Sequence, residues 1–316
     1  MNRPVKILLA IVATLVAGLL ALVVAWWTPD RPVEALTARW APPPSQFVAI
    51  DGLQVHVRDE GPRDDPSPIV LLHGTSASLH TWDGWTAGLR GQRRVIRLDL
   101  PGFGLTGPPA DGDYSMPRYV AFMRQVFDHF GLQHCVLAGN SFGGWIAWET
   151  ALAEPQRVER LVLVDSAGYP LLSESVPVAF QVARIPVLNR LVPVLLPRAM
   201  ISSSLRNVYG HPERVTPELI DRYYDLATRA GNRQALVERF RQARPGADID
   251  RLGEIRAPTL ILWGGRDRLI PPTYAQRFAQ DIHGSTLVQF DDLGHVPHEE
   301  DPQRTLAALQ DFLARP

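Results

Sequence analysis

The chain opens on one unbroken apolar block and then changes to short apolar runs separated by polar stretches of helix length. Residues 7–27 carry no charge, and Thr14 is the one polar side chain among them. At about 1.5 Å per residue, a helix of that length covers the roughly 30 Å hydrocarbon core of a bilayer. Further along, apolar runs at 69–72, 95–98, 135–138, 161–164, 260–263 and 286–290 have the length and composition of strands buried on both faces of a sheet. Between them the spacing predicts helices at 117–130, 142–153, 273–281 and 302–314. Ahead of these, 47–50 and 53–58 flank Asp51-Gly52, a two-residue hairpin signal. The pattern predicts an α/β fold whose mostly parallel sheet is opened by an antiparallel hairpin.

The alternation breaks once. Residues 166–257 hold helical material without a convincing strand, which predicts a helical cap inserted over the carboxyl edge of the sheet. Thr216-Pro217-Glu218 starts one of its helices with a capping hydroxyl and an early proline, and Gly231 is positioned to close it. Residues 176–200 are mainly Val, Leu, Ile and Pro, with Arg184, Arg190 and Arg198 as isolated charges, the composition of a lid over an apolar pocket. Domain limits follow: 1–28 a transmembrane anchor, 29–45 a proline-rich linker, 46–165 and 258–316 the catalytic core, and 166–257 the cap. Arg3 and Lys6 precede the apolar block, which puts the amino terminus in the cytoplasm and the remainder outside it, with Trp26 and Trp27 at the far interface. Val23-Val24-Ala25 leaves a cleaved signal peptide, and hence secretion, as the competing expectation.

Composition narrows the partners. The formal net charge is −1 with 21% charged residues, so no basic surplus points to nucleic acid. The single cysteine, Cys135, excludes an internal disulfide and a multi-cysteine metal site, and the histidines show no metal-ligand spacing.

The chemistry is carried by Gly139-Asn140-Ser141-Phe142-Gly143-Gly144, directly after an apolar run. A strand that turns sharply into a helix with a serine at the apex reads as a nucleophile elbow, G-x-S-x-G. A serine hydroxyl needs a base in reach and a group to orient that base. Asp267, in Gly264-Gly265-Arg266-Asp267, and His295, after Gly294, each lie in a loop following a strand, where open α/β sheets gather their active groups. Upstream, Leu72-His73-Gly74-Thr75 lets the amide of Thr75 join that of Phe142 as an oxyanion hole. Asp165 is a second candidate acid, His298 reads as a surface histidine, and Asp99 as a local buttress of the turn at Pro101–Gly104. Trp82, Trp85 and Trp145 serve either the pocket wall or the core.

From about Phe47 to Ala314 the chain resembles the α/β-hydrolase superfamily with a helical cap. The resemblance rests on His73-Gly74, Asp99-Leu100-Pro101-Gly102-Phe103-Gly104, the elbow at Ser141, Gly264 to Asp267, and Gly294-His295. It implies an eight-stranded sheet with helices on both faces, Ser141 as nucleophile, Asp267 as acid, His295 as base, and the amides of Thr75 and Phe142 as oxyanion hole, with no metal or organic cofactor. Serine at 141, where family dehalogenases and epoxide hydrolases carry aspartate, favours acyl transfer to water. The expected substrate is a lipophilic ester met at a membrane. The alternative is a carbon–carbon bond hydrolase of the meta-cleavage type, whose members share the G-N-S-[FM]-G-G elbow. Those relatives often have tryptophan after the catalytic histidine, whereas Val296 stands here. A non-catalytic binding protein on the same fold is the third expectation.

Overall fold

The computed structural model describes residues 2–315. An apolar helix, α1 (Arg3–Trp26), is followed by α2 (Val33–Trp40) and a hairpin of β1 (Gln46–Ile50) and β2 (Leu53–Glu60). Next come β3 (Ile69–Leu72), α3 (Asp83–Leu89), β4 (Val95–Leu98), α4 (Met116–His129), β5 (Cys135–Asn140), α5 (Phe142–Ala153) and β6 (Val158–Val164). Four helices then intervene: α6 (Val178–Arg184), α7 (Arg198–Val208), α8 (Pro217–Ala227) and α9 (Asn232–Gln242). The chain returns to the sheet through β7 (Thr259–Gly264), α10 (Thr273–Asp281) and β8 (Thr286–Phe290), and ends with α11 (Pro297–Glu300) and α12 (Pro302–Leu313).

The eight strands form one sheet in the order β1-β2-β4-β3-β5-β6-β7-β8. β1, β2 and β4 pair antiparallel, and every pair from β4 through β3 to β8 is parallel. Period-two alternation sends neighbouring residues of each buried strand to opposite faces. Val70, Leu72 and Leu137 pack with Phe122 of α4, Trp148 of α5 and Phe278 of α10. Ile69, Leu71 and Val136 pack with Trp85 of α3 and with Leu309 and Phe312 of α12. Trp82 and Trp85 lie in that second layer and Trp145 in the first, so all three tryptophans are core residues.

Three local features depart from the sequence reading. The segment expected as a linker holds α2, which docks: Leu36 is buried against Leu105 and Leu226, while Arg31 Nη1 and Trp40 Nε1 donate to Asp225 at 2.6 and 2.9 Å. Gly231, at φ 87°, starts α9 rather than closing α8, because α8 already ends at Ala227. Thr216 does cap α8, its hydroxyl accepting from the amide of Leu219 at 3.2 Å. His298 is fully buried, its ring 4.0 Å from that of Trp82 and its Nε2 3.1 Å from the Thr81 hydroxyl, contrary to the surface position expected.

Among the described residues one helix, α1, is long and apolar enough to cross a membrane, and the rest of the protein leaves its apolar length uncovered.

Candidate active site

Ser141 sits where β5 passes into α5, at φ 54° and ψ −115°. A side chain in that region is strained, by roughly 1–3 kcal/mol, and the surrounding contacts fix it there. The amide of Ser141 donates to Val164 O at 3.0 Å, and its carbonyl accepts from Trp145 and Ala167 at 3.1 and 3.0 Å. The flanking glycines follow from close packing. A Cβ on Gly139 would stand 2.2 Å from Gly143 O, and one on Gly143 would stand 2.4 Å from Leu72 O.

Asp267 and His295 arrive from the loops after β7 and β8. Asp267 is buried, with Oδ1 accepting from the amides of Leu269 and Ile270 at 2.8 and 2.9 Å. Its Oδ2 lies 2.6 Å from His295 Nδ1, which selects the tautomer with the proton on Nδ1 and leaves Nε2 as an acceptor. Ser141 and His295 line the same cavity, and among the described residues the Ser141 hydroxyl makes no hydrogen bond. The imidazole loop is held on both sides: His295 N donates to Val208 O at 2.7 Å, and its carbonyl accepts from Asn140 Nδ2 at 3.0 Å.

The amides expected to face an oxyanion are unspent, since neither Thr75 N nor Phe142 N donates to an acceptor among the described residues. Phe142 is the first residue of α5, where the helix dipole favours negative charge. His73 pins the loop carrying Thr75: its Nε2 accepts from the amide of Leu100 at 3.0 Å and its Nδ1 donates to Gly74 O at 2.7 Å. Burial lowers the His73 pKa, in keeping with a neutral ring. Asp99 supports the neighbouring turn by accepting from the amides of Leu79 and Leu105 at 2.7 and 2.8 Å and from His56 Nδ1 at 2.7 Å.

Sequence reasoning did not weigh three supporting residues. Asn140 joins the elbow to the histidine loop, and its place beside the serine was the available signal. Glu300 accepts from the amides of Gly210, His211 and Gly294 at 3.0, 2.6 and 2.9 Å, tying the helical insertion to the glycine before His295. Arg233 of α9 reaches the cavity wall, and no local motif announced it.

Asp165 lies close to Asp267 and His295. It is fully buried at φ 45°, Oδ1 accepts from Gly264 N at 2.9 Å, and Oδ2 has no partner. Burial first, then repulsion from Asp267, pushes its pKa well above the usual carboxylate range. Of the two carboxyls, Asp267 is the one in contact with His295. Donor atoms of Asp165, Asp267 and His295 lie within 4.8 Å of one another, the one such group among the described residues. A separation of 2.6 Å between His295 and Asp267 suits a shared proton. Two donors on one tetrahedral ion sit about 3.4 Å apart for bonds near 2.1 Å.

The cavity has a volume of about 300 Å³ and is bounded mainly by apolar side chains of the insertion, among them Phe180, Leu188, Leu191, Val192 and Ile201. Trp26, at the end of α1, contributes to the same wall. Among the described residues the one guanidinium on it is that of Arg233, whose Nη2 donates to Thr28 O and Asp30 Oδ1 at 2.7 and 2.6 Å while Nε and Nη1 have no partner.

Comparison with known proteins matches residues 67–302 to the family model described as alpha/beta hydrolase fold. A 2-hydroxymuconate semialdehyde hydrolase of Pseudomonas putida is 30% identical over 273 residues, covering 83% of this chain and 92% of its own. A solved structure described as a membrane phospholipase A, a bacterial virulence factor, superposes with a TM-score of 0.73 at 25% identity, covering 99% of this chain and 98% of that one. A thermophilic esterase from Thermogutta terrifontis gives a TM-score of 0.70 at 26% identity, covering 85% and 96%.

Proposed function

The chain belongs to the α/β-hydrolase family, and from that premise we propose that it is a serine hydrolase cleaving carboxylic esters of lipophilic substrates through an acyl-enzyme. In this reading Ser141 Oγ attacks the ester carbonyl while His295 Nε2 takes its proton. The amides of Thr75 and Phe142 receive the developing oxyanion, each such donor contributing about 3 kcal/mol in the transition state. Collapse expels the alcohol, protonated by His295, and leaves Ser141 acylated. A water that gives its proton to His295 then releases the acid. Asp267 holds the imidazole throughout and stabilises its charged form.

The observation that carries the ester reading is the cavity wall. Aliphatic side chains and the end of an apolar helix enclose the space above Ser141, a lining suited to a hydrocarbon chain. We read α1 as a membrane anchor with its amino end in the cytoplasm, supported by Arg3 and Lys6 ahead of the apolar block. Lipophilic esters partition into bilayers, so an anchored site meets them at high local concentration. The test is labelling of the full chain with a fluorophosphonate, followed by hydrolysis of p-nitrophenyl esters of graded length. A protein that labels at Ser141 yet leaves every ester intact would refute the ester reading.

A second reading, hydrolysis of a carbon–carbon bond in a ring-cleavage diketone, has the stronger support from sequence relatives, because the Pseudomonas putida hydrolase is more identical to this chain than either structural neighbour named above. One structural observation favours it as well: the free Nε and Nη1 of Arg233 on the cavity wall suit a carboxylate of such a substrate. Against it stands the pairing of that guanidinium with Asp30, which already balances its charge. Turnover of 2-hydroxy-6-oxo-hexadienoates faster than of any ester would make this the function.

A further inference from the structure

The end of α1 is built into the cap. Thr28 N donates to Val194 O at 2.9 Å, Leu196 N donates to Trp26 O at 3.4 Å, and the Thr28 hydroxyl lies 3.1 Å from both Trp26 O and Leu196 O. Trp27 and Leu195 form an antiparallel bridge. If α1 spans a bilayer, its 24 residues extend about 36 Å, and its carboxyl end must lie at the far interface. The stitched segment around Leu195 is then held at the same depth.

The neighbouring surface has the chemistry of that depth. Ile185, Val187, Leu188 and Leu191, in the segment that runs into the stitched residues 194–196, are exposed. Val187 is 69% exposed at φ 75°, a conformation that β-branched residues rarely adopt, so the backbone is strained while an apolar side chain faces outward. Residues 176–200 contain no acid. Their arginines 184 and 190 form no ion pair among the described residues, and Arg184 stacks over Phe240 at 4.6 Å. Exposed aliphatics with free arginines match an interface of acyl chains and anionic headgroups. Leu188, Leu191 and Trp26 also line the cavity that contains Ser141, so this face and the substrate space share a wall.

We propose that the cap face formed by Ile185, Val187, Leu188 and Leu191 lies in the bilayer interface beside the end of α1, so that acyl chains of membrane lipids pass from the bilayer into the Ser141 cavity without crossing water. The inference rests on the reading of α1 as an anchor and of the site as a lipophilic ester hydrolase. It makes the substrate a long-chain acylglycerol or phospholipid drawn from the membrane in which the enzyme sits.

The test uses the full chain in phosphatidylcholine vesicles containing phosphatidylglycerol. Val187→Cys is labelled with an environment-sensitive NBD fluorophore, Cys135 being buried. Insertion predicts a blue-shifted emission quenched by brominated acyl chains. In a second arm, Ile185→Glu/Val187→Glu should lower hydrolysis of bilayer-embedded monooleoylglycerol about tenfold or more, because two carboxylates are forced against acyl chains. Hydrolysis of water-soluble p-nitrophenyl butyrate should stay within about twofold, neither residue lining the cavity. An NBD probe that remains in water while p-nitrophenyl butyrate is still cleaved overturns the membrane face and spares the hydrolase. Protection of the probe that follows protein concentration rather than lipid overturns it in favour of a contact between two copies. Loss of all ester turnover in the unmutated protein would instead refute the ester reading, and the probe would still report where the face lies.

Discussion

Replacing Asp267 by asparagine tests the relay most directly, because the structure dictates how the amide must orient. Asp267 uses Oδ1 for two backbone amides, Leu269 and Ile270, and Oδ2 for His295 Nδ1. Asparagine has a single carbonyl oxygen. Facing it to the two amides keeps both hydrogen bonds, whereas the flipped amide loses both, a difference of about 2 kcal/mol or roughly 30-fold in population. The NH2 group therefore points at His295 Nδ1 and can only donate. The ring must then carry its proton on Nε2, the atom needed to accept from Ser141. A mis-set tautomer of this kind costs about 10⁴ in kcat, or about 5.5 kcal/mol. We expect Asp267→Asn to release p-nitrophenol from a soluble ester about 10⁴-fold more slowly while folding normally. Activity within tenfold of the parent would refute Asp267 as the orienting acid. The companion Asp165→Asn keeps an acceptor for Gly264 N and leaves the contact between Asp267 and His295 in place, so a loss below about tenfold is expected. A reversed outcome would move the role to Asp165.

Ser141→Ala should abolish fluorophosphonate labelling without unfolding the chain, and His295→Ala should suppress labelling of an intact Ser141; a Ser141→Ala protein that still labels would place the reactive serine elsewhere. Gly264→Ala would bring a Cβ to 1.9 Å from Gly294 O, so the loops bearing Asp267 and His295 must part; a destabilisation of about 1–3 kcal/mol is expected as a drop in thermal midpoint, with a larger loss of activity. Glu149, whose Oε1 accepts from Trp145 Nε1 at 3.0 Å, has its pKa raised to about 7, with burial as the main cause. A carboxyl whose folded pKa is raised contributes stability below its unfolded pKa and loses it as pH climbs through 7. Glu149→Gln should accordingly raise the midpoint at pH 8 by about 2 °C and leave it nearly unchanged at pH 5; no difference between the two pH values would refute the shift.

The strands and the candidate site residues were legible in the sequence because both are written locally. Four-residue runs such as Ile69–Leu72 are buried on both faces, so they must be apolar throughout, and Asp51-Gly52 fixes its hairpin within six residues. Gly139 and Gly143 stand where any Cβ would strike backbone, a local demand that marks the elbow. The insertion was legible as helical and apolar for the same reason. What no local pattern carries is pairing across the chain. Asp165 and Asp267, 102 positions apart, come together, with the Asp165 pKa pushed up by burial and by Asp267, only when β6 and β7 lie side by side. His298 looks like a surface residue until α11 folds its ring onto Trp82. Residues 29–45 look like a spacer until Arg31, Arg39 and Trp40 converge on Asp225 of α8, and the apolar block at the amino end looks separate until Trp26 meets the cavity wall. Steric and periodic constraints act between neighbours and so leave their trace in the sequence. The meeting of two carboxyls, burial of a histidine and the joining of α1 to the insertion depend on distances that only the folded chain sets.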